Sequence, residues 1–371
     1  MTDRERFLAT MRFQAVDRVP YHELGLWGQT KQMYIAAGMP EDATGDWFCG
    51  CEFLGLDRRD FAALDVGPVP PFKRETIEET DRYEVFRDAW GALHKALKPG
   101  TVEGTRASMD QYISFPVRSP QDFEPMKARF DPHAPGRRPS DWAEQVEGWR
   151  RRDCPLCLTT NGSFGLYFAL RKWMGTENLS LAFYDQPKMV HEMVELLADF
   201  FIELTEPALG EVDFDYFNFS EDFAFKTGPL LSPRLFREFL LPAYRRIIEH
   251  LRRHGVEFIW VDSDGNTELL IPLLLEVGVN CHWPLEIAAG MDPVKLRKEY
   301  GSDLVLSGGI DKRALAKGKK DIEDELDRHM RPVLERGGFI PTIDHSVPPD
   351  IPYENFMYYM ELKRDIAEGR R

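Results

Sequence analysis

From residue 154 onward the chain repeats one pattern: a short apolar run, a turn carrying Asp, Glu, Asn or His, and then a helical stretch. Six such units are legible. The run over 154–160 ends at Asn161-Gly162-Ser163, and the run over 215–219 ends at Ser220-Glu221-Asp222. The run over 256–261, bounded by Gly255, ends at Asp262-Ser263-Asp264-Gly265-Asn266. The last three end at Pro284-Leu285-Glu286, at Gly308-Gly309-Ile310-Asp311-Lys312 and at Asp344-His345. Helices are expected over 166–174, 187–207, 233–251, 293–300 and 322–336, and over 268–276 with Thr267 as N-cap. In a (β/α)8 barrel the carboxyl ends of all strands meet on one face, so polar residues this far apart in sequence become neighbours. A doubly wound sheet joins only the strands near its switch point, and no Gly-x-Gly-x-x-Gly turn is present to support one. A distorted (β/α)8 barrel over residues 1–371, with insertions in its N-terminal part, is therefore expected.

The N-terminal part is less regular. A helix is expected over 2–13 and a first strand over 19–23, which would deliver His22 and Glu23 to the open end. A second barrel strand must lie before residue 120. The prolines and short alternating runs of about 24–150 read as decoration, with a hairpin over 83–95 turning near Asp88 to Gly91.

Composition narrows the function. A formal charge of −15 over 371 residues excludes a basic nucleic-acid footprint and attraction to an anionic membrane. No run approaches the roughly 18 apolar residues of a membrane helix. The first residues carry no apolar run, so a cytoplasmic location is expected. Five cysteines do not make a disulfide framework. Cys49-Gly50-Cys51 is too tight for the usual zinc spacing. In a strand, Cys154 and Cys157 point to opposite faces, so both pairs read as ordinary burial.

The stretches Asp262-Ser263-Asp264-Gly265-Asn266, Gly308-Gly309-Ile310-Asp311-Lys312 and Asp344-His345-Ser346-Val347-Pro348-Pro349-Asp350 resemble the uroporphyrinogen decarboxylase superfamily. Glu221-Asp222, Gly228-Pro229-Leu230-Leu231-Ser232-Pro233 and Gly290-Met291-Asp292 support the resemblance. It implies a distorted barrel with its site at the strand ends. The true decarboxylase opens with an Arg-rich turn that holds porphyrin carboxylates. The matching region here is Pro20-Tyr21-His22-Glu23-Leu24-Gly25-Leu26-Trp27-Gly28-Gln29, without Arg, which favours the cobalamin-dependent methyltransferase branch.

That branch holds zinc with a His-x-Cys and a further Cys. Asp262, Asp264 and His345 stand at those positions, and Glu286 is a fourth candidate ligand. Carboxylates and imidazole make a harder zinc or other divalent-metal site than thiolates, suited to an oxygen or nitrogen substrate rather than a thiol. The same acids could equally form a polar rim without metal. The implied catalytic groups are His345, Glu221 and Asp264, with Glu23, Asn161, Ser163, Trp283 and Asp311 as substrate-binding candidates. Capping, ion pairing and ordinary core packing are the competing roles for these residues. The two glycines before Asp311 suggest a turn where a ligand approaches the backbone. The implied cofactor is a corrinoid, methylcobalamin or cob(I)alamin, carried on a separate protein, with a small molecule as substrate. A lyase acting on a small carboxylated compound and a ligand-binding barrel without catalysis are the alternatives.

Overall fold

The computed structural model describes residues 1–45, 50–102, 109–161 and 164–371. Its strands run β1 (Asp60–Asp65), β2 (Glu75–Glu79), β3 (Tyr83–Arg87), β4 (Leu93–Leu97), β5 (Gln111–Ser114), β6 (Leu156–Asn161) and β7 (Tyr216–Ser220). The short pair β8 (Ala224–Phe225) and β9 (Gly228–Pro229) precedes β10 (Phe258–Asp262), β11 (Cys281–Leu285), β12 (Val305–Ile310) and β13 (Phe339–Ile343). Seven strands form one parallel sheet in the order β1-β6-β7-β10-β11-β12-β13, with helices between them. This is the wall of a distorted (β/α)8 barrel. Strands β10 to β13 are almost wholly buried, which is why they read as continuous apolar runs rather than alternating ones. In the register, Asp262 lies level with Ser220 on one side and Trp283 on the other, so the polar strand ends meet on one face.

The barrel has a seam. Strands β1 and β13 make no ladder with each other, and the chain between Val19 and Leu26 fills the gap. The strand expected over 19–23 does not form. Pro20 has no N–H, and the Tyr21 N–H bonds the Asp57 carboxylate (3.1 Å) instead of a neighbouring strand. Among the described residues, this stretch makes one bridge, from Leu26 to Val347 just beyond β13. Lys363 closes the seam from a C-terminal helix (Tyr353–Ala367), donating to the His22 and Pro341 carbonyls (both 3.1 Å) and to the Glu23 carboxylate. Glu23 also accepts from the Ile343 N–H (3.0 Å) and the Tyr359 hydroxyl (2.7 Å).

The second barrel strand is β1. The expected hairpin is β3–β4, part of a four-stranded antiparallel sheet set apart from the barrel. The N-terminal helix spans Asp3–Met11 with a Thr2–Glu5 capping box. The helix expected over 268–276 begins later, at Ile271, because the Thr267 hydroxyl is spent on His282 Nε2 (2.7 Å) and Asn266 turns the chain by accepting from Glu268 N–H. Among the described residues no helix is long and apolar enough to cross a membrane.

Candidate active site

Inside the barrel, below the strand ends, lies a cavity of about 280 Å³. Side chains on alternate positions of a strand face the same way, and the lining follows that period: Phe61 and Ala63, Cys157 and Thr159, Tyr216, Asn218 and Ser220, Trp260 and Asp262. Trp283, Arg59, His22 and Glu23 complete the polar and aromatic wall. The Trp283 indole N–H donates to Asn218 Oδ1 (2.7 Å), which fixes both groups. Arg59 donates to the Glu23 carbonyl (2.7 Å). Asp262 differs from its neighbours: no described residue donates a hydrogen bond to its carboxylate. Burial holds it well above the ordinary carboxylate range, and the charges of Asp222 and Asp264 push the same way.

A second polar group forms the rim. The His345 imidazole lies 3.7 Å from the Asp264 carboxylate, and the Trp27 ring meets His345 edge-on at 6.2 Å between centroids. Burial raises Asp264 to about 6 against the pull of His345, with Glu286 and Asp222 adding to the rise. Glu286 accepts from the Gly265 N–H (2.9 Å) and from Lys312 (3.2 Å), and Lys312 also reaches Asp344 (3.4 Å). Asp344 is fully buried. Burial lifts it to about 6 although Lys312 pulls it down.

Other candidates lie elsewhere. Glu221 is fully buried and faces the helix Leu166–Met174, accepting from the N–H groups of Leu166 (2.7 Å), Tyr167 (2.9 Å) and Phe168 (3.1 Å) and from the Tyr244 hydroxyl. Burial pushes it up to about 7 against those four donors. It caps a helix and does not line the cavity. Asp311 caps the short helix Lys312–Leu315 through the Arg313 N–H (2.9 Å) and pairs with the Arg313 side chain. The glycines before it admit protein rather than ligand: a Cβ at Gly308 would meet Leu285 N at 2.7 Å, and one at Gly309 would meet the Pro293 ring at 2.9 Å. Ser163, the Asn161 side chain and Cys49 lie outside the described residues. Cys157 lines the cavity, but burial raises both it and Cys154, the latter to about 12, so neither is a ready thiolate.

The residues at the rim do not fit a metal. Asp262, Asp264, Glu286 and His345 form no converging set of three ligand atoms among the described residues, and the Lys312 ammonium already stands between Glu286 and Asp344. A corrin ring does not fit inside either. A cavity of about 280 Å³ is at the small end of the roughly 300–1,000 Å³ usual for small-molecule pockets, so a corrinoid could only meet this chain from outside, at the strand-end mouth.

Sequence reasoning placed His22 at the open end but overlooked Arg59, Tyr216, Asn218 and Trp260 as cavity residues. Counting back by twos from Asp262 and Ser220 would have found the three strand residues. Arg59 precedes a strand without a β-branched residue and gave no such signal.

The chain belongs to the uroporphyrinogen decarboxylase (URO-D) family, whose profile matches residues 107–366. Among curated relatives, uroporphyrinogen decarboxylase of Geobacter metallireducens is 26% identical over 144 residues, covering 38% of this chain and 40% of the relative. That of Acidiphilium cryptum is 29% identical over 142 residues, covering 38% of each. The matched segment thus spans about two fifths of those relatives. A solved methyltransferase from Methanosarcina mazei shares the fold across 98% of both chains, with a TM-score of 0.62 at 16% identity.

Proposed function

We propose that this chain is a methyltransferase that moves a methyl group between a small oxygen- or nitrogen-bound substrate and a corrinoid carried by a separate protein. The observation that carries the reading is Asp262: a carboxyl group with no donor among the described residues, pushed well above the ordinary carboxylate range by burial, in a small cavity walled by Trp260, Trp283 and Tyr216. When present, a corrinoid supplies the metal-centred nucleophile that exchanges the methyl group. The chain's residues then have three tasks. The aromatic walls and Asn218 orient the substrate. Asp262 gives its proton to the leaving oxygen as that atom keeps the electron pair of its broken bond to carbon, and takes the proton back in the reverse direction. At the mouth, Asp264 and His345 exchange that proton with solvent.

Size and charge count against a porphyrinogen. Its several carboxylates would need several guanidinium groups, and among the described residues Arg59 alone lines the cavity. The same Arg59 supports a second reading, a decarboxylase of a small monocarboxylate. One experiment separates them. The purified protein is mixed with cob(I)alamin and a panel of methoxyaromatic and N-methyl compounds while the corrinoid spectrum is followed. Conversion to the methylcobalamin spectrum supports methyl transfer. An unchanged spectrum across the panel, or carbon dioxide released from a carboxylated compound without corrinoid, removes it.

A further inference from the structure

At the opposite end of the barrel, Glu206 on the helix Pro187–Glu211 faces His250 on the helix Leu241–Arg253 and His254 at that helix's C-cap. One helical repeat separates the two histidines, so both rings lie on one face. One carboxylate oxygen, Glu206 Oε2, lies 3.4 Å from His250 Nδ1 and 3.3 Å from His254 Nε2, and all three ligand atoms fall within 4.8 Å of one another. Ligands about 2.0–2.2 Å from a tetrahedral zinc ion lie about 3.4 Å apart, so these two spacings match the edges of a zinc tetrahedron.

The tautomer of His250 points the same way. The Thr205 hydroxyl donates to the Phe201 carbonyl (2.8 Å), so at its other contact, 3.0 Å from His250 Nε2, it accepts the imidazole N–H. In the neutral ring, that leaves the lone pair of Nδ1 directed at a carboxylate oxygen, a repulsive contact at an almost fully buried ring unless a cation lies between them or Nδ1 takes up a proton. A neighbouring group that fixes tautomer and ring orientation is the usual support of a metal-binding histidine. The free carbonyls of the helix C-terminus add a negative field.

We infer that Glu206, His250 and His254 form a structural site for a zinc-class divalent transition ion, clamping two outer helices at the barrel's amino-terminal face. Two imidazoles and one carboxylate suit zinc and its neighbours, not calcium or magnesium, which take oxygen ligands. A fourth position stays open for water. The site is distinct from the strand-end rim, whose acids do not converge.

The test uses the full chain, stripped with chelator and titrated calorimetrically with zinc chloride at neutral pH. One zinc ion per chain should bind, with a rise in thermal midpoint that magnesium does not reproduce. His254→Ala and Glu206→Ala, at positions that are not core, should keep the metal-free midpoint near wild type. Both should weaken zinc binding at least tenfold and remove the thermal rise. Asp264→Asn at the rim should bind zinc as wild type does. Cobalt(II) should give the intense visible absorption of a tetrahedral centre, lost in His254→Ala. Unchanged zinc affinity in both variants, or no binding by the stripped wild type, overturns the site and leaves a metal-free ion pair between Glu206 and a protonated His250.

Discussion

Two acids on neighbouring strand ends, Glu221 after β7 and Asp262 at the end of β10, meet opposite treatment. Glu221 receives four donors, three from a helix N-terminus that Gly165 lets approach so closely that a Cβ there would collide with the Ser220 carbonyl. Asp262 receives none from the described residues and faces a cavity. A satisfied buried carboxylate holds structure together. An unsatisfied one beside open space keeps its proton and is available for chemistry. Both are carboxylates at the ends of neighbouring strands, so what separates them is their partners.

The sharpest way to break this comparison is Asp262→Asn. Asparagine matches the protonated acid in shape but cannot give up a proton, so turnover should fall by roughly 10²–10⁴-fold. Stability measured by denaturant midpoint should move by less than about 1 kcal/mol. A variant that kept its turnover would remove Asp262 from the chemistry. Glu221→Ala should do the reverse to the fold. Orphaning three buried N–H groups and a hydroxyl should cost about 3 kcal/mol or more, read as a lowered urea midpoint. If the fold tolerates that change with less than about 1 kcal/mol of loss, the cap is not what holds that helix.

The third test concerns pH. Asp344 is raised to about 6 in the folded chain, against about 3.9 for an unfolded Asp. The folded state therefore binds more protons between those values, so this contribution is full below about pH 4 and is lost as pH rises through about 6. Its size is about 3 kcal/mol. The difference in unfolding free energy between wild type and Asp344→Asn, followed from pH 4 to 7, should show that fall. A flat difference would mean that Lys312 cancels the burial. The smallest effect is expected from Asp311→Ala. Loss of a cap costs about 0.5–1 kcal/mol, and turnover should stay at the wild-type level, since Asp311 is spent on its own helix.

The six strand–turn–helix units after residue 154 were legible because a buried parallel strand is a dense apolar run ending abruptly in polar residues. Strand β1, Asp-Phe-Ala-Ala-Leu-Asp, was not, because its small side chains and flanking acids carry no strand signal. Sequence placed Asp264 and His345 together although they lie 81 positions apart, and they stand 3.7 Å apart. It could not separate Glu221 from Asp262, because the hydrogen-bond partners of one come from elements 23 to 55 residues away, and the other has none among the described residues. Nor could it show that Thr267 would spend its hydroxyl on His282 rather than on a helix.

The seam between β1 and β13 has a consequence of its own. A closed ladder has no edges, whereas this wall has two, with one irregular stretch of chain between them and a single ammonium group tying that stretch to β13. The segment around Tyr21 and Glu23 therefore works as a plug. Without it, two parallel strand edges rich in apolar residues would face water and offer their N–H and C=O groups to any other strand, including those of another copy. The order of the barrel thus depends on a few residues, and Lys363, which joins this plug to β13, is the fastener on that side.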